Sequence, residues 1–293
     1  MKMGYAIDVK YVLKSFIITT SIITLITGCS QLEARSPEGW FNFCWAGLGG
    51  SDELTFQGNA VLLRGEQLNT EGNISYSGQL TNHHDLTIRS VIPSARAGKT
   101  NEKSPNTTAN PIAASLSQNE VKLQWEDGSW SLKSNATAAG AQAIGLARMN
   151  PLDQLEEIKN ATKSISLENA SARGTKVLRI EIAKENAKEL LKAKLVKEMD
   201  EVRNRLQQQV SQLKPSLRQK ADKNAERQWS AGKQQLIHML DQAEAKVTYH
   251  LTINKKNGLP IRLTSETKLN YRNLRGIQEH EVLLSDNRFS NYQ

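Results

Sequence analysis

The chain has 293 residues and carries 38 Lys and Arg against 30 Asp and Glu, a formal charge of +8. Mean hydropathy is −0.52, and no segment after the N-terminal thirty residues nears the ~20 apolar residues of a membrane-spanning helix, which leaves a soluble domain as the expectation. No aromatic-interleaved basic patch accompanies the positive charge, so nucleic acid is not an expected partner; an excess of this size keeps a surface solvated or favours anionic headgroups and wall polymers.

The N-terminus divides as an export signal does. Lys2, Lys10 and Lys14 form a basic leader, Ser15 to Leu25 is an apolar run of 11 residues, and small residues precede a cysteine. The sequence Ile26-Thr27-Gly28-Cys29 resembles the lipobox of bacterial lipoproteins. That resemblance implies a diacylglyceryl thioether on Cys29, a mature chain beginning there, and residence on the extracytoplasmic face of a bacterial membrane, since two acyl chains anchor where one binds reversibly. An uncleaved signal anchor, or chance placement of Cys29, is the competing reading. Removing Lys2, Lys10, Lys14 and Asp8 leaves 35 basic against 29 acidic residues. The expected division is 1–28 signal peptide, 29–52 lipidated tether and short helix, and 53–293 one domain. Cys44, among Trp40, Phe41, Phe43 and Trp45, reads as a buried small hydrophobe.

Trp40 to Leu48 forms a candidate helix ended by Gly49-Gly50. The period then becomes two: Leu54, Phe56, Ala60 and Leu62 share one face, and Ile74, Tyr76, Gly78 and Leu80, then Leu86 and Ile88, repeat the pattern of antiparallel strands with one buried side. Ser94 to Ser117, rich in Asn, Thr, Ser, Ala and Pro, is expected to be a mobile loop. Val121 to Trp125 and Trp130 to Leu132 flank Asp127-Gly128, a type I′ hairpin signal that sets Trp125 and Trp130 side by side. Ser134 to Arg148 is a small-residue segment. Asn150-Pro151 opens a helix with Leu152, Leu155 and Ile158 buried, and strands are expected near Ser166 to Ala172 and Lys176 to Ile182.

From about Asn186 to Ala245 the pattern is helical, with Leu195, Met199, Val202, Leu206 and Leu213, then Leu236, Leu240 and Ala243. Pro215 divides it into an antiparallel hairpin, in preference to one kinked helix. Strands return with Val247 to Ile253, an Asn257-Gly258 turn, Ile261 and Leu263, then Leu269 and Tyr271, and Val282 and Leu284 across an Asn273 to Gly276 turn. About eleven strands interrupted by a helical pair give an α+β chain with a helical insertion at about 186–245.

Phe56-Gln57-Gly58, the Trp125/Trp130 hairpin, Asn150-Pro151-Leu152 and Ile253 to Leu263 with Gly258-Leu259-Pro260 together resemble the LolA-like family, including the mycobacterial LprG/LppX-type lipoproteins. The resemblance implies a curved antiparallel sheet, an incomplete β-barrel, covered by helices, with an acyl-chain site between sheet and helices. Candidate cavity residues are then Phe56, Tyr76, Leu86, Trp125, Trp130, Tyr249 and Leu251, each equally compatible with ordinary core. The long hairpin and the long 94–117 loop depart from the family pattern, and the hairpin could itself fill the concave face. No catalytic or metal set is expected: His83, His84, His238, His250 and His280 lack ligand spacing, and a strand would point His83 and His84 to opposite faces. No nucleophile elbow or phosphate loop occurs. Glu156-Glu157 and the acids around Asp241 read as solvated helix faces. No cofactor is expected. The two function classes are an envelope lipoprotein binding a lipid or other amphiphile, and a non-catalytic scaffold docking a protein partner through the hairpin.

Overall fold

A computed structural model describes residues 35–65, 67–68, 73–91, 118–133, 140–169 and 171–293. The Cys29 motif and the whole of the 94–117 loop lie outside these residues. Five helices and eleven strands are described: α1 Pro37–Gly49, α2 Gly140–Ala147, α3 Pro151–Asn160, α4 Lys184–Ser211 and α5 Pro215–Asp241; β1 Leu54–Arg64, β2 Gln67–Leu68, β3 Ile74–Thr81, β4 Asp85–Val91, β5 Gln118–Glu126, β6 Ser129–Leu132, β7 Lys163–Leu167, β8 Thr175–Ile182, β9 Glu244–Asn254, β10 Pro260–Arg272 and β11 Gln278–Ser290. Ten strands form one antiparallel sheet in the order β6-β5-β4-β3-β1-β11-β10-β9-β8-β7, with β2 paired to β1. No pairing among the described residues joins β6 to β7, so the sheet stays open.

Alternation makes one face of this sheet the core. Leu54, Phe56 and Ala60 of β1, Tyr76 and Leu80 of β3, Leu86 and Ile88 of β4, and Leu251 and Ile253 of β9 are all buried, with solvated residues between most of them. Two aromatic rings lie flat on the neighbouring strand, each over a glycine. Phe56 opposes Gly78 and Tyr76 opposes Gly58 across the β1–β3 ladder. A Cβ on Gly78 would sit 2.5 Å from Phe56 Cε1, and one on Gly58 would sit 2.6 Å from Asn287 Oδ1. The Tyr76 hydroxyl donates to that same Asn287 oxygen at 2.8 Å.

The sheet is strongly curved. Laid flat, β6 and β9 would be seven strand spacings apart, roughly 34 Å. Yet Lys194 of α4 lines one hollow with Val247 and Tyr249 of β9 and another with Trp130 and Leu132 of β6. Only a sheet curled toward α4 brings both ends to one helix.

The helices close the concave side. Ser36 caps α1, its hydroxyl accepting from Gly39 N at 3.0 Å. Trp40, Phe41 and Cys44 of α1 enter the common core, so the helix expected to precede the domain packs as part of it. Its far end seats on the β9–β10 turn, where Gly258 adopts φ +77 and Phe43 crowds the space a side chain would need. Asn150 caps α3 as expected, accepting from Leu152 N at 3.0 Å, and Leu152, Leu155 and Ile158 are buried. Asp127 and Gly128 both have positive φ, the type I′ signature, and Trp125 pairs with Trp130 with ring centroids 5.4 Å apart.

Three expectations change, and the strand condition attached to His83 and His84 is not met. Gly140–Ala147, within the segment read only as small-residue, is helix α2, because Ala143 and Leu146 bury against the sheet. The strand expected near Ser166 to Ala172 begins earlier, at Lys163, so that Ile165 and Leu167 meet Ile180 and Leu178. Ile261 to Tyr271 is one strand, and an irregularity between Pro260 and Arg262 turns Ile261 outward while Leu263 stays buried. His83 and His84 occupy the β3–β4 turn, His83 at φ 63, and His83 pairs with Asp52.

Pro215 begins α5 and divides the helical insertion into two antiparallel arms. Trp229 on α5 donates its indole N–H to Met199 O at 2.7 Å, the Arg203 guanidinium stacks 4.5 Å from the Trp229 ring, and Arg203 grips Glu226 through two bonds of 2.9 Å. Lys233 reaches Asp200 at 2.7 Å. Polar and aromatic contacts thus join the arms.

Candidate functional site

The first half of α4 lies over the concave face and leaves two hollows beneath it. Ile182, Ala187, Leu190, Leu191, Leu195, Val247, Tyr249 and Leu283 wall the larger, about 100 Å³ in volume, with Met149, Gln154, Ser265, Thr267 and Ser285 completing it. Leu123, Trp130, Leu132, Ile144 and Ala147 wall the second, about 80 Å³. Arg148 and Lys194 border both.

These two cations form an ionic partition between the hollows. Lys194 Nζ lies 2.7 Å from Glu157 Oε1 and 3.2 Å from Asp153 Oδ2, while Arg148 Nε reaches Glu198 Oε1 at 2.8 Å. Asp153 and Glu157 sit one turn apart on α3 and therefore face the same way. The Lys194 side chain is only 23% exposed. Burial works to lower its pKa, but the charges of Glu157 and Asp153 outweigh burial and hold it above the usual lysine value. Tyr249, under the same carboxylates, has its hydroxyl pKa driven well upward, first by burial and then by Glu157 and Asp153. The site thus joins apolar walls to a fixed row of alternating charge. The Cys44 thiol lies in the packed core beside neither hollow and is pushed up to about 12 by burial, and no group of three metal-ligating side chains occurs among the described residues.

Of the seven candidates named from the sequence, Tyr249 lines the larger hollow and Trp130 the smaller. Trp125 packs against Trp130 beside it with the two rings tilted by 60°. Phe56, Tyr76, Leu86 and Leu251 belong to the continuous packed core and line neither hollow. Sequence reading missed Leu190, Leu191, Lys194 and the acidic pair. The available signal was a lysine in the buried stripe of α4, four residues after Leu190 and seven after Ala187. Glu157, read as part of a solvated face, turns inward to that lysine, whereas Asp241 stays about half exposed and pairs with Lys192 at 2.7 Å.

No family model matches the sequence, and no curated protein matches it either. Solved structures similar in backbone include lipovitellin, from a study of its lipid–protein interactions, at TM-score 0.34 and 10% identity over 82% of this chain. This chain spans 25% of the lipovitellin chain. LprF from Mycobacterium bovis is also similar, at TM-score 0.30 and 9% identity over 88% of this chain and 93% of that one. In both cases the likeness is one of backbone arrangement, with about a tenth of the aligned residues identical.

Proposed function

We propose that this protein is a membrane-anchored extracytoplasmic lipoprotein that holds the apolar part of a lipid or other amphiphile beneath α4. One observation carries the binding reading: apolar hollows lie between a concave sheet and a helix, with a charged row between them able to meet a polar head. Hollows lined by aliphatic side chains favour hydrocarbon over water. At about 100 Å³, the larger one holds only a few methylenes, given roughly 30 Å³ for a single water. A full acyl chain therefore requires the first turns of α4 to move outward and the two hollows to join.

Native mass spectrometry of the chain from Ser30 onward, purified with minimal detergent, tests the binding. Co-purifying lipid is expected, and Val247→Phe, which fills the larger hollow, should reduce it by roughly tenfold, a loss of about 1.4 kcal/mol. An apo mass that persists after incubation with membrane lipids would remove this reading. The anchor is tested separately. The full chain expressed in a bacterium should partition into detergent, and Cys29→Ser should move it to the aqueous phase; equal partitioning of both would count against lipidation.

The alternative is a scaffold that acts through the hairpin. The observation in its favour is that Leu213 and Leu217, at the hairpin apex, are 38% and 55% exposed.

A further inference from the structure

The apex of the α4–α5 hairpin combines three properties. It is remote: Lys197 Nζ meets Trp130 O at 3.5 Å, the smaller hollow beside the sheet extends along α4 to Glu201, and ten further residues of helix carry Ser211 roughly 15 Å beyond that point. It is fully solvated, since every residue from 211 to 220 is exposed. It is also amphipathic and basic. Leu213 and Leu217 flank the turn, and residues 207–224 carry Lys214, Arg218, Lys220 and Lys223 against Asp222 alone.

The turn is also braced by local hydrogen bonds. Arg218 Nε donates to Leu213 O at 2.7 Å, and the Leu217 N–H donates to Lys214 O at 2.9 Å. The first bond satisfies a carbonyl just past the end of α4 and the second lies in the opening turn of α5, so the two leucines are held on either side of Pro215. Two exposed leucines in a ring of cations, with one carboxylate among them, are complementary to a surface that is anionic outside and apolar just beneath. A bilayer containing acidic phospholipid has that profile, with cations attracted to its headgroups and short apolar side chains reaching the acyl boundary. An acidic protein would match the charge but offers no reason for both leucines to remain solvated.

We infer that the hairpin apex is a membrane-contacting tip that inserts Leu213 and Leu217 into anionic lipid. This contact is independent of Cys29 and of the hollows beneath α4.

The test uses the full chain carrying Cys29→Ser and Ser216→Cys, with an environment-sensitive thiol probe. Cys44 is buried, so labelling falls on the apex, and the readout is local even if the leader segment also adsorbs. Vesicles of phosphatidylcholine alone are compared with vesicles containing about 30% phosphatidylglycerol. The expected result is a blue shift and quenching by brominated lipid on the anionic vesicles only. Raising salt from ~0.1 M to ~0.5 M should reverse it, because the screening length shortens. Lys214→Glu, Lys220→Glu and Lys223→Glu together should weaken the response at least ~100-fold. Leu213→Ser with Leu217→Ser should abolish the blue shift while leaving the circular dichroism unchanged. No response on anionic vesicles, an equal response on neutral ones, or indifference to the triple charge reversal would overturn the inference. So would a response to a soluble acidic protein without a response to vesicles.

Discussion

Gly78→Val should destabilise the fold by about 3 kcal/mol, a large fraction of the stability of an ordinary domain. The position is on the face that β3 turns to the core, and the Phe56 ring occupies the place of any side chain there. Phe56 cannot retreat, because it is 1% exposed and packs against Tyr76 and Phe289 with ring centroids 6.5 and 6.3 Å away. Overpacking of this kind shifts strands rather than rotamers. Urea unfolding of the single variants and of Gly78→Val with Phe56→Ala measures the coupling. The double variant should lose at least ~1 kcal/mol less than the sum of the two singles, since removing the ring vacates the space the valine needs. Strict additivity would mean that the ring and the glycine are not in contact.

Lys194→Met should cost about 3 kcal/mol at neutral pH, because it keeps the volume and the apolar stem but leaves Asp153 and Glu157 facing each other without their cation. The pH dependence gives a second check. The folded-state pKa of Lys194 is raised, so its stabilisation is complete below the ordinary lysine value of ~10.4 and is lost as pH climbs through the raised folded value. The wild-type chain should therefore lose part of its stability above pH ~10.4, and Lys194→Met should lack that portion of the decline. Parallel curves for the two chains across that window would show that the partition contributes nothing through charge.

Much of the architecture could be read from local chemistry. The alternation in β1, β3 and β9 reports which face is buried, Asp127-Gly128 and Asn150-Pro151 mark a turn and a helix start through backbone preferences, and Pro215 divides the hairpin where an N–H is dispensable. What could not be read depends on distant partners. Gly140–Ala147 has no charged residue at either end to mark it and is helical because Ala143 and Leu146 are buried. The outward turn of Ile261 comes from an irregularity opposite β9 that leaves no mark of its own. The hollows were the least legible feature. A concave sheet was foreseeable, but Phe56, Tyr76 and Leu86 fill their part of it, and the empty space falls under Leu190 and Leu191, whose helix reads as ordinary from its own residues.

The position of β1 also bears on how the chain reaches its fold. β3 to β6 pair along the early part of the sequence and β7 to β10 along the later part, but β1 joins the two halves by pairing with β11, Thr55 opposite Ser290. The join spans 235 residues of separation and cannot form until the last strand is available. Contacts this remote slow the final step of folding. Until β11 is available, two half-sheets with unpaired margins are exposed, and any chaperone present would meet them in that state.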